Sequence, residues 1–213
     1  MSYPAPLSEP DGPHLLLGFD ALCGWCFGLV PAMRAVEDAY PDLPVVVALP
    51  GLVTGDRVGP YAEMESYIRG ASTRLLAATG RAPADAFFDL IRRPDVRGDS
   101  GPPTAAMAHV RAHAPERLLA FAHAITDAHF ERGADLNDPL TYRHAMNALG
   151  IDAPLPDLAA TEAVAREWAA GRALGIQSFP TLAFVRDGRA EVMPSRYEPD
   201  AVVAWVGEQL NAT

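Results

Sequence analysis

The feature that most constrains this chain is the placement of its only two cysteines, Cys23 and Cys26. They follow a short apolar run at 14–19 and open a stretch in which Phe27, Val30, Met33, Val36 and Tyr40 recur at helical spacing. A buried strand therefore delivers the pair to the N-terminus of a helix, which Pro41 ends. Residues 45–49 are short, apolar and β-branched, a second strand, and strand, helix and strand together make a parallel βαβ unit. Two cysteines scattered at random over such a chain would stand three apart about once in a hundred arrangements, so the spacing asks for a reason. A structural disulfide framework needs more cysteines and wider loops. One Cys-x-x-Cys points instead to redox chemistry or to a metal.

The middle of the chain has a different rhythm. Pro60, Pro103, Pro115 and Pro139 stand where first helical turns begin, and Gly80, Gly133, Gly150 and Gly175 where helices stop. Between them Met64, Ile68, Ala71 and Leu75, then Leu118, Ala122, Ile125 and His129, then Val164, Trp168, Gly171 and Leu174 recur at helical spacing, which predicts five or six helices. Strand signals return at 181–185, Asp187-Gly188 is a tight-turn dipeptide, and 189–193 returns as an antiparallel partner. Pro199 opens a last helix with Val202, Val203, Trp205, Val206 and Leu210 on its apolar side. The order predicts an α/β fold: a domain made of 14–56 and 175–213, a helical lobe at 57–174 inserted into it, and a flexible tail at 1–13. Because strands lie on both sides of the lobe, 45–49 and 181–185 belong to one sheet.

Charge narrows the function. The net charge is −10, and all 17 basic residues are arginines. An acidic chain without basic clusters is a poor partner for nucleic acid or an anionic membrane. No apolar run approaches the roughly 20 residues that cross a bilayer. Residues 1–13 are polar and proline-rich, without the basic and apolar regions of a secretory signal, which predicts a cytoplasmic protein.

Three segments carry a resemblance. Asp20-Ala21-Leu22-Cys23-Gly24-Trp25-Cys26-Phe27-Gly28 follows a strand, Pro31 lies inside the helix after the cysteines, and Gly175-Ile176-Gln177-Ser178-Phe179-Pro180-Thr181 opens the hairpin. Together they resemble the DsbA-like branch of the thioredoxin superfamily, in particular predicted protein-disulfide isomerases with a Cys-Gly-Trp-Cys motif. The resemblance covers nearly the whole chain and implies a thioredoxin fold with an inserted all-helical lobe. It also implies a cis Phe179–Pro180 bond facing the cysteines. One departure stands out: thioredoxin and DsbA carry a buried carboxylate six residues before the first cysteine, where this chain has Leu17.

Disulfide exchange needs a thiolate nucleophile and a second thiol to resolve the mixed disulfide. Unpaired N–H groups and the positive dipole end at a helix N-terminus favour a thiolate, which assigns attack to Cys23. Cys26, one turn deeper and less exposed, is the resolving thiol. Trp25 is either an apolar platform for substrate or packing against the helical lobe. Phe179 and Pro180 would offer backbone to an extended substrate. Asp20 is either a strand-end turn residue or a proton carrier for Cys26. The expected cofactor is none beyond the Cys23–Cys26 disulfide, with glutathione as a candidate co-substrate. The expected partners are protein or peptide thiols and disulfides or a small disulfide, for a monomer or homodimer. The helix histidines His109 and His113 read as solvated. Two alternatives stand beside this reading. One is a glutathione-dependent transferase or isomerase of the kappa-class type, which usually has a serine at the motif. The other is a Cys/His metal-binding module, which would need two histidines to complete four ligands.

Overall fold

The computed structural model describes residues 3–212. A four-stranded sheet has the order β2-β1-β5-β6, formed by β1 (His14–Gly18), β2 (Val45–Ala48), β5 (Thr181–Arg186) and β6 (Arg189–Val192). β1 pairs parallel with β2 and antiparallel with β5, and β5 pairs antiparallel with β6. Leu15, Leu17, Val47, Leu182 and Phe184 belong to the main core, and Leu16, Val46, Ala183 and Val185 to a smaller one on the other side. Both faces of the two central strands are thus covered, which explains their unbroken apolar runs. The strands 45–49 and 181–185 share this sheet, and the helical segments come between them in sequence.

The helix α1 (Gly24–Ala39) packs on α8 (Pro199–Asn211) beside the sheet. Between β2 and β5 the described residues hold six α-helices: α2 (Glu65–Thr79), α3 (Asp85–Ile91), α4 (Gly101–His113), α5 (Leu118–Arg132), α6 (Pro139–Ala148) and α7 (Thr161–Ala173). Gly80 and Gly133 cap α2 and α5 in the left-handed conformation. A two-residue pairing, β3 (Gly59–Pro60) with β4 (Arg97–Gly98), is too short for a periodicity argument to find. Pro60 lies in this pairing and precedes a 3-10 turn, and Pro115 begins another 3-10 turn. Within 1–13, Met1 and Ser2 lie outside the described residues. Leu7 is buried in the smaller core, and the Tyr3 hydroxyl is 2.7 Å from His14 Nε2.

Pro31 sits inside α1 and has no N–H to give the carbonyl of Phe27 one turn earlier. Arg81 replaces that donor: its guanidinium donates to the Phe27 carbonyl at 2.7 Å and lies 3.7 Å over the Phe27 ring. The same group pairs with Asp127 at 3.0 Å and Glu131 at 2.6 Å, tying α1 to α5. Arg111 does similar work elsewhere, reaching Glu167 on α7 at 2.8 Å and the Val47 carbonyl of β2 at 2.7 Å. Both were invisible in a sequence whose arginines look like compositional bias.

Candidate active site

Cys23 is the N-cap of α1, and its sulfur accepts the N–H of Cys26 at 3.4 Å. The sulfur thus faces the free N–H groups at the helix start. Cys23 is 4% exposed and Cys26 1%, both as free thiols. Burial, first, and then the neighbouring Cys23 and the Asp20 charge push the Cys26 thiol well above its ordinary range. Cys26 therefore keeps its proton until something removes it.

Asp20 stands in the turn between β1 and α1 and is buried. Its carboxylate accepts the N–H of Leu22 at 2.9 Å and of Leu52 at 2.7 Å, and Ser100 adds a side-chain hydrogen bond. Its own carbonyl accepts the Cys23 N–H at 3.1 Å. Burial raises the Asp20 pKa above the ordinary carboxylate range, partly offset by these hydrogen bonds and by Arg57. The residue is thus both a turn-former and a buried carboxylate near Cys26, and the two sequence readings are not exclusive. Leu17, at the position of the missing family carboxylate, is simply core.

The Phe179–Pro180 peptide is cis, and the Phe179 carbonyl accepts from the Cys23 thiol at 3.7 Å. Trp25 is half-buried and packs on Tyr197, with ring centroids 5.6 Å apart. Tyr197 lies between β6 and α8, so the ring stacking on Trp25 comes from outside the 57–174 segment. Tyr197 was not singled out in the sequence, where nothing but its place before the last helix marks it.

A cavity of about 800 Å³ opens beside Cys23 and Trp25 and runs under α2. Its walls include Leu52, Val58, Tyr61 and Leu75. A smaller cleft of about 320 Å³ shares Ser178 and Phe179 with it and continues to Pro180 and Tyr197. The cavity's α2 wall approaches closely because α1 carries a glycine there. A Cβ on Gly28 would stand 2.8 Å from Thr79 Cγ2 and 2.9 Å from Leu75 Cδ1. His109 and His113 stack on each other at 4.1 Å on α4, away from the cysteines. Among the described residues no group of three His, Cys, Asp or Glu is placed to hold a metal, and no helix is long and apolar enough to cross a membrane.

No protein-family model and no curated protein matches the chain. Solved structures do. The cytosolic disulfide reductase DsbM from Pseudomonas aeruginosa is 27% identical, with a TM-score of 0.81 over 92% of this chain and 98% of that one. The same protein with GSH is 25% identical, with a TM-score of 0.78 over 93% and 100%. A periplasmic thioredoxin-like protein from Salmonella enterica serovar Typhimurium is 17% identical, with a TM-score of 0.53 over 97% and 90%, a likeness of fold alone. The fold, the cysteine pair at the helix start and these likenesses agree: the chain is a thioredoxin-fold thiol–disulfide oxidoreductase of the DsbA-like kind.

Proposed function

We propose that the protein works as a glutathione-coupled disulfide reductase or isomerase, with Cys23 attacking and Cys26 resolving. The observation that carries this is the asymmetry of the pair. Cys23 caps α1, receives the Cys26 N–H and borders the cavity, whereas Cys26 is sealed beneath it with its thiol held protonated by burial. Cys23 attacks a disulfide sulfur and the first thiolate leaves. Asp20 takes the Cys26 proton, Cys26 attacks Cys23, and the second thiolate leaves with the Cys23–Cys26 disulfide closed. Two glutathione thiols then restore the dithiol. Phe179, Pro180 and Trp25 border the approach to Cys23 and would hold the substrate there. A reducing cytoplasm suits this direction of flow, and the DsbM likenesses, one of them with GSH, support it. We assign 14–56 and 175–213 to a thioredoxin-like domain that carries the chemistry and 57–174 to a helical lobe that walls the substrate site.

The test is trapping. Cys26→Ser mixed with oxidised glutathione should accumulate one glutathionyl adduct on Cys23, read by intact mass, while Cys23→Ser should gain none. Adduct formation on Cys26 in the Cys23→Ser protein, at the rate seen for Cys23, would reverse the roles.

A further inference from the structure

We infer that the cavity beside Cys23 selects small mixed disulfides with one bulky apolar half, in preference to glutathione disulfide or to disulfides on folded proteins. The inference rests on the thiol–disulfide reading above and adds the substrate class.

Access comes first. Cys23 is only 4% exposed, so a disulfide fixed on a broad protein surface meets the walls before its sulfur meets the thiol. A small molecule that enters the cavity does not. The space of about 800 Å³ lies within the range of sites that enclose small ligands, about 300–1,000 Å³. It greatly exceeds what a lone sulfur or a methylene needs.

The walls decide the chemistry. Leu22, Leu52, Val58, Tyr61, Ile68 and Leu75 line the cavity, and at its lip Met64 and Tyr67 stand 47% and 65% exposed. Large apolar side chains left in water along the rim of an apolar cavity mark a surface awaiting an apolar ligand. The site is also built in advance. Leu75 and Thr79 seat α2 against Gly28, and Tyr61 is held from behind by stacking on His129 at 5.9 Å and by the edge of Phe87 at 6.3 Å. A preformed wall loses little freedom on binding. Arg57 is the one basic residue among those lining the cavity, and it forms no ion pair among the described residues. The acidic Asp56 and Glu63 line the same cavity.

The reaction balances without further groups. The Cys23 thiolate attacks one sulfur of the mixed disulfide, the S–S bond breaks and one thiolate leaves. Cys26 gives up its proton and displaces the second thiolate from Cys23. Two electrons pass to the substrate, and two glutathione thiols supply two electrons and two protons to reopen the Cys23–Cys26 disulfide.

The experiment compares three substrates with glutathione as reductant: the mixed disulfide of glutathione with 2-phenylethanethiol, glutathione disulfide, and insulin. The aryl mixed disulfide should show a kcat/KM at least tenfold above glutathione disulfide, the scale that burial of one aromatic ring supports. Insulin should be reduced more slowly than either. Tyr67→Asp, at an exposed lip position that leaves folding intact, and Ser72→Phe, which fills the cavity, should each shrink that ratio severalfold. Turnover of all three without preference, or a ratio unmoved by both variants, overturns the substrate class and leaves the oxidoreductase reading standing. Preference for insulin assigns the surface to protein partners and also overturns it. Turnover of none overturns the oxidoreductase reading itself, and this inference with it.

Discussion

Acid should weaken this fold through a histidine behind the active-site cavity. His129 is buried on α5 between Tyr61 and Phe87. Its Nδ1–H donates to the Ala134 carbonyl at 2.8 Å, and Nε2 faces the Tyr61 hydroxyl at 3.3 Å, which suits the neutral ring. Burial pushes its pKa from 6.5 down to about 4, against the smaller opposing pulls of the Ala134 carbonyl and Asp135. The unfolded chain therefore binds the proton more readily than the folded one. The stability that follows is complete above pH 6.5 and is lost as pH falls through 4. Between pH 7.5 and 4.5 the loss for one such group is about 2.5 kcal/mol. His123, buried and also pushed down to about 4, adds a loss in the same direction. Urea unfolding of the wild type and of His129→Gln at the two pH values isolates the His129 share, because every other group cancels in the comparison. The wild type should lose about 2.5 kcal/mol more than the variant over this interval. Equal losses would refute the assignment. Because His129 stacks on Tyr61, activity on bulky substrates should fall over the same window.

Arg81→Met leaves the Phe27 carbonyl without a donor while Asp127 keeps Arg34, so urea unfolding should show a loss of about 2–3 kcal/mol. A loss under about 0.5 kcal/mol would mean the carbonyl never depended on Arg81. Gly28→Ala should cost about 1–3 kcal/mol by forcing α2 off α1, whereas a Cβ on Gly24 meets Leu75 at an ordinary 3.5 Å and should be near neutral. Asp20→Asn should slow the resolving step by about tenfold or more and move its pH profile, while attack by Cys23 keeps its rate. Stopped-flow tryptophan fluorescence of single turnovers separates the two steps.

Much of this arrangement was legible because local rules and tertiary need agree. The run at 14–19 is apolar throughout since β1 lies between β2 and β5 with both faces covered. Asp187-Gly188 marks a hairpin because both residues have positive φ, 50° and 70°. Cys23 reads as a helix cap because the strand ends just before it. Other features depend on contacts between distant parts of the chain, which no local pattern encodes. The 3-10 turn at Gly55–Arg57, the β3–β4 pairing and the cavity they border bring 52–61 against α2 and Cys23 only in three dimensions. Arg81 answers the carbonyl that Pro31 orphans from far along the chain, and Tyr197 reaches Trp25 from near the other end. Asp20 shows a third case: sequence offered a turn residue or a proton carrier for Cys26, and the buried side chain accepts the Leu22 and Leu52 N–H groups from two loops that only the fold brings together.

The most direct measurement is the equilibrium of the Cys23–Cys26 bond against glutathione buffers, followed by mass. Stabilising the thiolate form raises a couple's potential, and DsbA reaches about −120 mV in this way. Here Gly24 and Trp25 bring no cation to Cys23. Leu17 is core, and burial, followed by the neighbouring Cys23 and the Asp20 charge, disfavours a thiolate at Cys26. Both act in the same direction and draw the couple toward the reducing end of a range of about −180 to −270 mV. A single two-electron transition in that range is the expected result. A pair that stays reduced at every poise, or a midpoint near −120 mV, would contradict it.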